Sequence, residues 1–211
     1  MFKHIKNCII IANKKDMRKV TLFFGLVIAM LFAFKPEKTT TYKVDTNKSL
    51  VTWIGRKVTG EHTGNLKIAS GKLIANGKLL KSGNFDIDMN TITCTDLTGE
   101  NMEKLLGHLK SEDFFAVEKN PISKFSITKV AYASSDIATI TGNLTIKGIT
   151  KSINFPATIL VKGKTLTAEA KKVVVDRTLF DIRYGSKSFF NLGDKAIDNE
   201  FELSIKLVAT K

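Results

Sequence analysis

Side chains able to do acid–base or nucleophilic chemistry are few in this chain and far apart. After residue 34 there are two histidines, His62 and His108. His62 follows Glu61 in Thr59–Gly64, which reads as a loop. His108 falls at the end of a helical stretch, where the dipole favours a histidine as a capping or packing residue. A metal site would need further ligands at a suitable spacing, and no His-x-x-x-His pair is present. Asp86 and Asp88 alternate with Phe85 and Ile87, so their carboxylates point to water. Ser111-Glu112-Asp113 reads as a turn. Gly60–Gly64 lacks the strand–loop–helix setting of a phosphate loop, and no serine lies in a Gly-x-Ser-x-Gly elbow. Cys94 has no second cysteine beyond Cys8, which lies in the N-terminal segment. It is expected to pack as a small apolar residue near a strand end. No catalytic group, metal site or cofactor is therefore expected. An enzymatic reading would have to rest on His62, His108 or Arg177.

The elements that would position any site are mostly strands. Alternating apolar residues mark Ser49–Val58, Gly83–Thr93, Phe125–Tyr132, Ile137–Ile146, Ser152–Val161, Thr165–Val175 and Asn199–Val208. Shorter runs cover Leu66–Ala69 and Gly71–Ala75. Asn76-Gly77 predicts a two-residue hairpin turn, and Lys162-Gly163-Lys164 joins two later strands. One segment departs from period two. In Glu100–Lys110, Met102, Leu105, Leu106 and Leu109 fall at helical spacing, with Thr98 as the expected cap. This helix would close one end of the strand assembly. About eight antiparallel strands with one short amphipathic helix predict an all-β barrel or sandwich, and periodicity alone does not choose between them.

Val20–Phe34 is an uncharged apolar run preceded by Arg18-Lys19. It is shorter than the roughly 20 residues of a membrane-spanning helix, and it reads as a secretory signal over residues 1–34, with an uncleaved membrane anchor as the alternative. Met17 is a second candidate start. Residues 35–41 read as a polar linker and 42–211 as a single domain. Six of the 33 basic and one of the 20 acidic residues precede Lys35. The remaining 27 and 19 give residues 35–211 a net charge of +8. Those charges are scattered rather than run together, which argues against nucleic acid and for a solvated exterior with at most transient contact to a membrane surface. The expected address is the periplasm or the exterior.

Three ordered motifs carry a resemblance. His108–Phe115 reads His-Leu-Lys-Ser-Glu-Asp-Phe-Phe. Leu144–Lys151 reads Leu-Thr-Ile-Lys-Gly-Ile-Thr-Lys. Further on come Asp176-Arg177-Thr178, Arg183-Tyr184-Gly185 and Ser188-Phe189-Phe190. From Tyr42 to about Val208 the chain resembles the YceI-like family, in a form similar to that of Bacteroidetes-type bacteria. The resemblance implies a lipocalin-like, extended eight-stranded antiparallel β-barrel. It also implies a non-enzymatic protein that holds a long-chain isoprenoid or other lipid inside that barrel. The implied apolar lining is Trp53, Phe85, Ile87, Met89, Leu105, Phe114, Phe125, Ile127, Ile140, Leu144, Phe155, Ile159 and Phe180. Arg177 and Arg183 flank Phe180 and are the candidate head-group anchors, against the alternative that each pairs with Asp176, Asp181 or Asp194. Asp181 stands where the family usually has glycine. An enzyme acting on such a lipid, and an envelope interaction protein with a filled barrel, remain alternatives. A homodimer is compatible with each.

Overall fold

The computed structural model describes residues 38–190, 193 and 196–211. The expected signal segment, Met17, Cys8 and Asp194 lie outside the described residues. Thr39–Lys211 forms one compact unit. It contains strands β1 (Thr40–Val44), β2 (Leu50–Lys57), β3 (Gly60–Asn76), β4 (Leu79–Asp88), β5 (Ile122–Tyr132), β6 (Ile137–Ile146), β7 (Ile149–Lys162), β8 (Thr165–Asp176) and β9 (Ile197–Thr210). Its helix α1 spans Gly99–Lys110. Every strand pair is antiparallel. From β2 to β9 each strand pairs with the next, and β9 pairs back onto β2, so eight strands close a barrel. The short β1 pairs with the C-terminal half of β3 and the end of β9. It thus lies in line with β2, and the two form one stave interrupted at 45–49.

The alternation becomes an inside and an outside. In β6 the pattern of exposure alternates along Ile137–Ile146, with Ala138, Ile140, Leu144 and Ile146 buried. Lys147 and Gly148 form the turn into β7 with φ of 50° and 75°. Positive φ at both central positions matches the twist of an antiparallel hairpin. The β3–β4 hairpin also forms, but its turn is Gly77-Lys78. Gly77 supplies the positive φ of 57°, while Asn76 still pairs with Leu79 in the ladder.

Three expectations change. Thr59–Gly64 is not a loop: β3 begins at Gly60 and pairs through Gly64 with β2. The two separate runs expected between Leu66 and Ala75 belong to that same strand, with a register shift between Ile68 and Ser70. The extra residue of a bulge blurs period two and makes one long strand read as fragments. Helix α1 is present, but Thr98 makes no side-chain capping bond, and of its apolar stripe only Leu109 is buried. Met102, Leu105 and Leu106 are half-exposed.

Candidate functional site

An apolar cavity of about 100 Å³ occupies the barrel interior at the α1 end. Strands supply part of its wall: Val51 and Trp53 from β2, Ile87 from β4, Leu144 and Ile146 from β6, and Phe201 and Leu203 from β9. Connections supply the rest. Met89 belongs to a 3-10 turn (Met89–Thr91), Ile92 to the strap that follows, Leu109 to the last turn of α1, and Phe114 and Phe115 to the turn beyond it.

The strap is laid along β3 by its threonines. The Thr93 amide donates to the Asn65 carbonyl at 2.9 Å and the Thr95 amide to Thr63 at 2.8 Å. In return the Lys67 and Asn65 amides donate to the hydroxyls of Thr91 and Thr93. Trp53 Nε1 donates to the Thr93 carbonyl at 3.0 Å. This approach requires Gly64: a Cβ there would lie 1.7 Å from the Thr93 oxygen. Asp96 ends the strap. Its carboxylate accepts from the Thr63 amide at 2.8 Å and from the Cys94 thiol at 3.3 Å, and lies 2.7 Å from His62 Nδ1. Burial pushes the Asp96 carboxyl up, but the bonds from Thr63, His62 and Cys94 outweigh it and hold the value at about 2. Cys94 is buried as expected, though on the strap and hydrogen-bonded to Asp96 rather than at a strand end.

Below this compartment the interior narrows. Phe85, Phe125 and Phe155 stand side by side, with ring centroids 5.5 Å apart between neighbours. They border a second, smaller apolar void of about 30 Å³, whose walls include Leu73, Ile127, Ile140 and Ile159.

The residues expected to line a pocket therefore separate into two groups. Trp53, Ile87, Met89, Phe114 and Leu144 border the α1-end cavity. Phe85, Phe125, Ile127, Ile140, Phe155 and Ile159 border the far void. Leu105 and Phe180 reach neither. Leu105 packs against the core from the exposed helix. Phe180 comes from a 3-10 turn (Arg177–Phe180) after β8 and is fully buried in the wall.

The two arginines also separate. Arg177 is 4 % exposed and borders the cavity, but its guanidinium donates to the backbone oxygens of Asp198 (2.9 Å), Ile182 (2.8 Å) and Ile197 (3.1 Å). Among the described residues no carboxylate is ion-paired with Arg177; backbone carbonyls take that place. Burial lowers its pKa. Arg183 lies outside the cavity, paired with Asp181 at 2.9 Å and stacked on the Phe189 ring at 4.9 Å. Among the described residues no buried side-chain nitrogen or oxygen lacks a hydrogen-bond partner. The cavity wall thus offers a ligand mainly apolar contact, with Arg56, Ser123, Asp198 and Glu200 as its polar members beside Arg177.

His108 sits beside Asp113 at 3.3 Å and packs edge-on to Phe114 and Tyr184 at the rim. His62 lies on β3, 2.7 Å from Asp96. Neither borders the cavity. Sequence reasoning left Phe115, Phe201, Val51, Ile92 and Leu109 out of the lining, although period two in β2 and β9 marks Val51 and Phe201 as candidates of the right parity. The Asp96–His62 contact spans 34 residues, and no local signal announces it.

Comparison with known proteins places this architecture. The chain is 48% identical over 56 residues to a UPF0312 protein of Pseudomonas paraeruginosa, which is 26% of this chain and 29% of that protein. A UPF0312 protein of Pseudomonas putida is 42% identical over 57 residues, 27% and 30% of the two chains. The chain thus spans less than a third of the length of these curated relatives. They are pseudomonad proteins and give no support to a Bacteroidetes-type branch. Among solved structures, Burkholderia cenocepacia BcnA superposes with a TM-score of 0.65 at 22% identity, covering 79% of this chain and 99% of that one. A polyisoprenoid binding domain from Saccharophagus degradans gives 0.58 at 10% identity, covering 80% and 97%. At these identities the superpositions establish the fold. The profile of the YceI-like domain matches residues 42–209, and the chain belongs to the YceI-like family.

Proposed function

We propose that this protein is an exported, non-enzymatic carrier that holds the apolar chain of a polyisoprenoid or fatty-acyl lipid inside its barrel. The carrying observation is the cavity at the α1 end, walled by aliphatic and aromatic side chains, with Arg177 already spent on three carbonyls. Such a wall selects by shape and apolarity, because a methylene contributes about 0.8 kcal/mol on burial whatever molecule carries it. Its charged members other than Arg177 are Arg56, Asp198 and Glu200, of which Asp198 and Glu200 are exposed, so a polar head stays on that exposed side. The Saccharophagus neighbour, described as polyisoprenoid binding, supports the same ligand class. Export rests on the Val20–Phe34 run behind Arg18-Lys19. The absence of an enzymatic role is part of the proposal and rests on neither histidine bordering the cavity, His108 being packed on the outer side of the wall residue Phe114.

Native mass spectrometry of Thr39–Lys211, purified without detergent and then given geranylgeraniol, tests the carrier. A one-to-one adduct that dissociates on denaturation is expected; no adduct overturns it. A filled barrel serving as an interaction protein is favoured by one observation: about 100 Å³ lies below the roughly 300–1,000 Å³ of typical ligand pockets. Under that reading no prenol binds.

A further inference from the structure

The interior is divided, and the division runs along one row of the barrel. On β4 the inward neighbours Ile87 and Phe85 border different compartments. On β5 the same holds for Ser123 and Phe125, and on β9 for Leu203 and Ile205. No residue borders both voids. The boundary lies between the row Ile87, Ser123, Leu144 and Leu203, which borders the larger cavity, and the row Phe85, Phe125 and Phe155, which roofs the smaller void and whose rings pack in sequence from β4, β5 and β7. On β6, between Leu144 of the first compartment and Ile140 of the second, stands Gly142. A Cβ at Gly142 would lie 2.3 Å from Phe125 Cζ and 2.8 Å from its Cε2. The Phe125 ring therefore occupies the space that any other residue at 142 would fill, and it lies over the neighbouring strand β6 because β6 is bare at that point.

Resting on the carrier reading, we propose that the Phe85–Phe125–Phe155 row is an internal stop that sets the length of apolar chain the barrel accepts. The compartment above it receives the end of the chain. The void of about 30 Å³ beneath is the start of a deeper subsite that the row closes off. Removing ring atoms at Phe125 or Phe155 joins the two spaces and lets a longer chain enter. Aliphatic walls continue below the row at Leu73, Ile140, Ile159 and Leu207, so the deeper space suits the same class of ligand.

The test is a length series of prenols titrated onto Thr39–Lys211: geraniol, farnesol, geranylgeraniol and geranylfarnesol, read by native mass spectrometry and calorimetry. For the unaltered protein, affinity should rise with length to a cutoff and then stop rising. In Phe125→Leu and Phe155→Leu, which keep the row apolar and folded, the cutoff should move to the next longer prenol. That prenol should gain about tenfold or more, since the extra isoprene unit buries several methylenes. Leu144→Phe, above the row, should move the cutoff the other way. Near-ultraviolet circular dichroism confirms that each variant is folded. An unchanged cutoff in all three variants, with binding retained, overturns the stop and leaves the carrier standing. Binding of no prenol by any protein overturns the carrier and the stop with it.

Discussion

The two halves of the barrel interior are built from the same alternating strands, yet one holds a cavity and the other is nearly filled. In the far half, large inward side chains face one another across the barrel, and Phe85, Phe125 and Phe155 meet at the spacing of well-packed rings. At the α1 end the wall is completed by connections: the strap, the end of α1 and the turn carrying Phe114 and Phe115. The strap is fixed by hydrogen bonds to β3, and the turn by bonds to the backbone of Leu109, Lys110 and Ser111, not by the jigsaw of the interior. Space therefore survives where loops make the wall and disappears where strands alone do. The pattern of inward positions says that a residue faces inside; its size and the connection above it say whether anything else fits there.

This contrast predicts unequal costs for similar truncations. Phe125→Ala should have the largest effect, lowering stability by about 3–5 kcal/mol in chemical denaturation, because the site is closely packed. Phe115→Ala, beside an existing cavity, should cost clearly less; equal losses would break the comparison. Arg177→Met follows, at about 2–3 kcal/mol, because it leaves the carbonyls of Ile182, Ile197 and Asp198 without their donor. Asp96→Asn tests the strap. With solvent screening at this partly exposed site it should cost about 1 kcal/mol at neutral pH. The Asp96 carboxyl is lowered in the fold from 3.8 to about 2. Its contribution is therefore complete above about pH 4 and is lost as pH falls towards 2. The gap between Asp96→Asn and the unaltered protein should close over that interval in pH-dependent thermal melts. A constant gap would mean that the amide disturbs the strap by shape rather than charge. Arg183→Ala, an exposed pair with Asp181, should change stability by less than about 0.5 kcal/mol, and prenol binding not at all.

Much of the barrel was legible because period two survives wherever one face is buried. The bounds of β6 agree with the alternating run Ile137–Ile146, and the hairpin at Lys147-Gly148 follows from its glycine. The start of β3 was not legible. Gly60–Gly64 is rich in polar residues and glycine, and it becomes a strand through its partners on β2 and the close approach of Thr93. Eleven of the thirteen expected lining residues border a void, but periodicity does not reveal that they divide between two. Phe180 was misplaced because an aromatic in a family-like segment reads the same whether it faces the lumen or seals the wall. The partners of Arg177 were not legible for a related reason: they are backbone carbonyls brought in by β9 and the turn at Ile182, and the sequence identifies no carbonyl as a partner.

The interrupted stave has a consequence for how the molecule forms. Leu50 of β2 pairs with Lys206 of β9, and Val44 of β1 with Ala209. The first strands of the barrel thus find one of their two neighbours only at the very end of the chain. Contacts of such long sequence separation are slow to form, since the entropy of closing the loop must be met before they stabilise anything. A chain emerging from the ribosome in order cannot complete this ring until its last strand is free. A partial product ending before β9 would leave β2 and β8 as open edges, available for aggregation or for capture by chaperones. Lateness of closure is the property that keeps a chain threadable, and here it is written into the pairing of its two ends.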